Sequence, residues 1–234
     1  MNIIIKIKLK FFPKLISSNE YIKYLKKCGI KIGTNSYFFS PSNTEIDIQR
    51  PFALDIGNYC KISSGVKVIC HDYSRSVISN YNGRVIGECL KTKIGNNVFI
   101  GMNSIILMGS NIGNNVIIGA GSIVKGTFPN NCVIAGNPAR IICTLEEYIN
   151  KRINLEQEEC KIWIKSYFDY YGKLPSINQL GPFIFLFKKI DKTTFNIFKN
   201  NGVDRKKIIH YYKNSEYIID YDGFCDKIFE GEKI

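Results

Sequence analysis

The chain has 234 residues, 45% of them hydrophobic and 22% charged, which supplies one good-sized core plus an appendage and excludes a disordered polyelectrolyte. No run approaches the roughly 18 uninterrupted apolar residues of a membrane-spanning helix. The formal charge of +12 makes a polyanion an expected partner, such as a nucleotide sugar, an acidic glycan or an anionic membrane, while the spread of the basic residues and the lack of any recognised module argue against nucleic acid. The eight cysteines (28, 60, 70, 89, 132, 143, 160 and 225) show no CxxC and no metal spacing with the two histidines. With no secretory signal at the start, they read as reduced thiols in a cytoplasmic protein that holds no metal.

Taken in order, Asn2 to Ile16 alternates Ile3, Ile5, Ile7 and Leu9 with Lys6, Lys8 and Lys10. The period of two predicts a strand with one wet basic face, and the composition also allows peripheral contact with anionic lipid at the inner face of a membrane. A helix over Asn19 to Cys28, apolar at Tyr21, Ile22, Tyr24 and Leu25, would cover the open end of a repeat domain starting near residue 31, so residues 1–30 form an N-terminal cap.

Ile-Gly pairs then open at 32, 56 and 94. From Ile94 to Pro129 the chain counts in sixes, with Ile or Val at 94, 100, 106, 112, 118 and 124 and Gly next in line at 95, 101, 113 and 119. A hexapeptide period is the signature of a parallel β-helix, in which each short strand sends one aliphatic side chain inward before a corner. Gly and Asn suit corners that need positive φ. Gly95-Asn96-Asn97 and Gly113-Asn114-Asn115 lie 18 residues apart, so three hexapeptides make one triangular turn and Ile94 stacks under Ile112. A sandwich of ordinary strands would show period two and variable loops.

Against that repeat of 18, the step of 24 from Ile32 to Ile56 inserts six extra residues within Phe38 to Pro51, and the step of 38 from Ile56 to Ile94 inserts a 20-residue excursion, about 74–93. His71 stands at its root. Long loops on a repeat scaffold are where function is carried. After a partial coil, Asn130 to Arg140, the run Thr144-Leu145-Glu146-Glu147 has the form of a capping box and predicts a helix to about Tyr171, ended by Gly172. Further helices are expected over Ser176 to Ile190 and Arg205 to Tyr212, which makes 144–234 a mainly helical extension beyond a coil domain at 31–143. Its phenylalanines at 183, 185, 187, 195 and 198 read as packing residues.

The repeats, with the closing run Ile134-Ala135-Gly136-Asn137-Pro138-Ala139-Arg140, resemble the hexapeptide-repeat acyltransferases, nearest in flavour to the O-acetyltransferases of maltose, nodulation-factor and capsular or O-antigen polysaccharide type. The resemblance covers roughly 30–145. It implies a mainly β fold built on a left-handed β-helix, a handedness that the usual right-handed crossover rule would not give. It implies an acetyl-CoA donor, a carbohydrate acceptor on a surface-polysaccharide pathway, and a homotrimer whose active sites lie between subunits. His71 matches the family's catalytic base, and imidazole chemistry suits taking a hydroxyl proton and passing it to the leaving thiolate.

Asp47 is the candidate to orient that imidazole, with Asp72 adjacent to it in sequence, while Arg50 could pair with Asp47 or grip an acidic sugar. Asn43 joins Asp47, Arg50 and Asp72 as candidate substrate-binding residues. Gly101 resembles the position that meets the pantetheine end, in a coil whose amides could serve an oxyanion. The Gly119-Ala120-Gly121 wall would flank the CoA arm, and Lys125 and Arg140 its phosphates, although Lys125 is displaced by one residue from the family pattern, and Phe99 stands where the family tends to have Trp. Rival readings are an N-acetyltransferase of a nucleotide-linked amino sugar, a non-catalytic β-helix scaffold, and a metal-dependent member, which two histidines cannot furnish.

Overall fold

A computed structural model of the chain describes residues 15–189, 205–213 and 218–229. The strand expected over residues 2–16 therefore lies outside the described residues except at its last two positions, as do Phe195 and Phe198. The described chain divides into two compact units, 1–148 and 149–234.

The first unit is a left-handed parallel β-helix with three faces. One face stacks β1 (Lys31–Ile32), β4 (Leu54–Ile56), β7 (Thr92–Ile94), β10 (Asn111–Ile112) and β13 (Thr127–Phe128). The second stacks β2 (Tyr37–Phe38), β5 (Lys61–Ile62), β8 (Val98–Ile100), β11 (Val116–Ile118) and β14 (Cys132–Gly136), and the third β3 (Glu45–Ile46), β6 (Lys67–Val68), β9 (Ile105–Ile106) and β12 (Ile123–Val124). Each strand is too short to hold itself. Its hydrogen bonds go to the coils above and below, and its one inward aliphatic joins a column such as Ile56, Ile94 and Ile112, each at most 3% exposed. Burying such a side chain contributes about 1.5–3 kcal/mol, so stacking is what stabilises a coil.

The coil does not end in a simple exit. β15 (Ala139–Thr144) turns back antiparallel onto β14, so the closing run Gly136 to Ala139 is the turn of a hairpin. At the other end α1 (Ser18–Lys27) starts on a capping box between Ser17 and Glu20 and buries Tyr21 and Leu25 over the first coil. Its Ser18 Oγ accepts from the Phe38 amide at 2.9 Å, which ties the cap to the second face.

The corners carry the repeat's chemistry. Asn35, Tyr59, Asn97, Asn115 and Asn131 all adopt φ between 54° and 58°, one above another at the corner between the first and second faces. Beside them runs a ladder in which the Oδ1 of Asn58, Asn96, Asn114 and Asn130 each accepts the backbone amide of the coil below, at 2.7–2.8 Å. A Cβ on Gly57 would stand 2.3 Å from the Gly95 carbonyl oxygen, so that approach admits only glycine.

In the second unit, α3 (Leu145–Tyr171) runs to Gly172 at φ 66°, as the capping box at Thr144 predicts for its start. The helix expected over 176–190 does not form. Two 3-10 turns, Ile177–Gln179 and Gly181–Leu186, replace it, because Gly181 at φ 56° and Pro182 interrupt the α-helical ladder. α4 (Arg205–Lys213) and α5 (Tyr221–Ile228) come after them. Cys160, Ile164, Leu180, Leu186, Phe187, Phe224, Cys225 and Phe229 form this unit's own core.

Candidate active site

Strand registers locate where the solenoid departs from its repeat. Lys31 pairs with Asp55 and Tyr37 with Lys61, 24 residues apart, but Glu45 pairs with Lys67, only 22 apart. In the next coil all three faces are offset by 38, and in the one after by 18. Two of the first coil's six extra residues therefore sit between the second and third faces, and the remaining four leave the corner between the third face and the next coil's first face. The excursion leaves that same corner. It carries the short helix α2 (Arg75–Asn82), which has no buried residue and ends at Gly83.

This shared corner brings Asp47 to His71. Asp47 continues the ladder beyond β3, its amide donating to Val68 O at 3.0 Å, and its side chain is only 4% exposed. Oδ1 accepts from the Gln49 amide at 2.9 Å; Oδ2 accepts from the Cys70 amide at 2.9 Å and meets His71 Nδ1 at 2.5 Å. Burial pushes the Asp47 carboxyl up, but the bonds from His71 and from the Gln49 and Cys70 amides outweigh it and hold the group below its ordinary value. A carboxylate can only accept, so its partner fixes the proton on Nδ1 and leaves Nε2 as the basic nitrogen. The imidazole, 21% exposed, stands edge-on to Tyr73 at 5.4 Å, and Arg75 lies 5.6 Å from the Tyr73 ring centre.

His71 and Asp47 open onto a cleft of about 440 Å³ whose other walls include Tyr24, Ser42, Glu45 and Gln49. Sequence reasoning missed these four. Tyr24 reads as one more apolar position on a cap helix, and Gln49 falls among the inserted residues, where no repeat assigns a direction.

The other candidate positions are scattered over the coil. Asp72 is exposed and turns to the Ser74 amide, whose bond, with the charge of Lys125 among the lesser causes, holds its carboxyl below the ordinary range. Lys125 is exposed and lies in the column of Asp47, Ile69 and Leu107, so it belongs to the His71 corner. Asn43 is spent on the scaffold, donating to Ser64 Oγ at 2.8 Å and accepting from the Gly65 amide. Arg50 corrects an expectation: it makes no ion pair with Asp47, and its Nη1 donates instead to the Glu88 carbonyl in the excursion. The Gly101 amide donates to Ile118 O at 2.8 Å within the ladder, so of the coil's amides it is not one left free for an oxyanion. A Cβ there would meet the Ala120 amide nitrogen at 2.5 Å. Gly101, Gly119 and Ala120 thus stack at the corner between the second and third faces, one corner away from His71, and Arg140 is exposed at the hairpin turn. One chain does not gather all of these positions into one place. Among the described residues, no group of three His, Cys, Asp or Glu side chains could hold a metal ion.

Known proteins share the repeat. The model of bacterial transferase hexapeptide, six repeats, matches residues 91–126. Protein CapG of Staphylococcus aureus is 42% identical over 142 residues, which is 61% of this chain and 81% of CapG. The chain belongs to the hexapeptide-repeat acyltransferase family. This acyltransferase is also 36% identical over 101 residues to YvoF of Bacillus subtilis (strain 168), covering 43% of this chain and 54% of YvoF. Among solved structures, a maltose O-acetyltransferase from Clostridium difficile 630 is similar at 25% identity and a TM-score of 0.42, over 61% of this chain and 84% of that one. No helix among the described residues is long and apolar enough to cross a membrane.

Proposed function

We propose that this acyltransferase moves the acetyl group of acetyl-CoA to a sugar hydroxyl of a surface-polysaccharide precursor, with His71 as general base. The observation that carries the reading is the Asp47–His71 pair, with Nε2 basic at the edge of a cleft. The hydroxyl oxygen attacks the thioester carbonyl carbon while Nε2 takes its proton. The tetrahedral intermediate then collapses, the C–S bond breaks, and the same proton goes to the departing thiolate. The two proton transfers by His71 are worth about a hundred- to ten-thousand-fold in rate, and Asp47 holds the ring in the tautomer they require and steadies the imidazolium between them. The cleft suits a polyol, since Tyr24, Ser42 and Gln49 offer hydroxyl and amide groups around an aromatic wall.

The separation of the His71 corner from the Gly101, Gly119 and Ala120 corner favours a trimer in which one subunit supplies His71 and its neighbour supplies the small-residue wall for the CoA arm, with Lys125 and Arg140 as phosphate contacts. Mixing His71→Ala with a variant blocked at the wall, Gly119→Trp, tests this: subunit exchange restores activity if sites are shared and restores none if each chain works alone.

The reading is tested by thiol release from acetyl-CoA over a panel of glycan precursors and amino sugars. The expected result is acceptor-dependent release, with a product cleaved by mild hydroxylamine, as an ester is. A hydroxylamine-stable amide would make the enzyme an N-acetyltransferase; no release with any acceptor and no binding of CoA would leave the coil as a scaffold.

A further inference from the structure

Segment 45–51 holds both ends of the excursion. Asp47 fixes its beginning, by accepting from the Cys70 amide and His71 Nδ1. Three residues later, Arg50 Nη1 donates to the Glu88 carbonyl, 38 residues away in sequence and near the excursion's end. Beyond it, Lys91 pairs with Asp55 Oδ2 at 2.6 Å and the buried Thr92 accepts from the Gly109 amide at 3.1 Å. Val85, Cys89 and Leu90 are exposed, with Leu90 lying against the turn at Gly109, so around Glu88 itself the chain has few other holds. The Glu88 side chain supplies no hold of its own there, since its Oε1 is buried with no hydrogen-bond partner among the described residues.

We infer that Arg50 is a positioning residue that holds the far end of the excursion against the segment carrying Asp47, so that the loop rooted at His71 keeps one pose beside the imidazole, where its Tyr73 stands edge-on. The inference rests on the acetyl-transfer reading for its kinetic consequence and not for its structural one. A charged guanidinium reaching a backbone carbonyl does this whatever side chain stands at 88. Because the Asp47–His71 pair has its own bonds, loss of Arg50 leaves the base formed and loosens only the excursion beside it.

The test compares Arg50→Met, which keeps the aliphatic stem, with Arg50→Lys, which keeps one donor. Backbone hydrogen exchange over 76–84, where the amides of the excursion carry hydrogen bonds, is expected to rise at least tenfold in Arg50→Met and to be partly recovered in Arg50→Lys, with the thermal midpoint unchanged. In the acetyl-transfer assay KM for the acceptor is expected to rise about tenfold while kcat stays within threefold. Unchanged exchange would overturn the inference, and so would raised exchange with unchanged KM, since that makes Arg50 merely structural. Loss of kcat at an unchanged KM would overturn it too, placing Arg50 in the chemistry itself. If the wild type turns over no acetyl-CoA, the functional reading fails alone, and the exchange comparison still decides whether Arg50 anchors the loop.

Discussion

Asp47 shows how one side chain can be fully committed before any substrate arrives. Both of its oxygens are occupied by two amides and an imidazole, and the group is nearly buried. Its carboxyl is held below the ordinary value, so the stability it contributes is complete above that value and drains away as pH falls through the lower folded one. Asp47→Asn is therefore expected to cost about 1.5–3 kcal/mol near neutrality, and the gap to wild type should close below about pH 4, which urea midpoints measured from pH 7 to pH 3 would show. Tyr59 is the opposite case. It holds φ 57° in a column otherwise made of asparagines, where a bulky residue has no side-chain bond to offset the left-handed strain. Tyr59→Asn should stabilise the fold by about 1 kcal/mol, read from the same urea curves.

Among elements, the corner ladders matter as much as the strands. Asn114 accepts from the amide and the side chain of Asn96, at 2.8 and 3.0 Å, while its own amide donates to Asn130. Asn114→Ala would remove both bonds from Asn96 at a corner open to solvent and is expected to cost about 0.5–1.5 kcal/mol, whereas Ile112→Ala, which empties part of a column, should cost about 2–5 kcal/mol. The two effects separate in denaturation of the single variants. Such ladders are legible from spacing: Asn96 and Asn114 are one coil apart, and the six-residue count places both at a corner. The short helix α2 is not legible in that way, because none of its residues is buried and packing leaves no periodic mark on it. The bond from Arg50 to the Glu88 carbonyl is similarly silent, since a backbone acceptor puts no constraint on residue type.

For the molecule as a whole, insertions decide where chemistry sits. The departures from a repeat of 18 can be counted in the sequence, but only the registers show that four of the first coil's extra residues and all 20 of the second's leave the same corner. Had Asp47 and His71 left different corners, the same residues would make two unrelated surface groups. The closing hairpin and the 3-10 turns at 177–186 were beyond reach because neither has a period, and their form depends on what they pack against. Each unit has its own buried core, so a chain ending at Tyr148 is expected to fold on its own and to unfold in one cooperative thermal transition. Thiols report on the same organisation. Burial, with Cys225 and Glu156 nearby, pushes the Cys160 thiol up to about 12, while Cys89 is exposed on the excursion. Brief alkylation of the native protein should label Cys89 and spare Cys60, Cys70, Cys160 and Cys225, by mass spectrometry of the digested chain.

The measurement that bears most directly on the central claim is the steady-state rate of acetyl transfer by wild type, His71→Ala and Asp47→Asn, side by side at saturating acetyl-CoA. If Nε2 of an Asp47-oriented His71 takes the acceptor proton, kcat falls about a hundred- to ten-thousand-fold in His71→Ala, less in Asp47→Asn, and CoA binding is unchanged in both. Wild-type turnover by a folded His71→Ala would contradict the account.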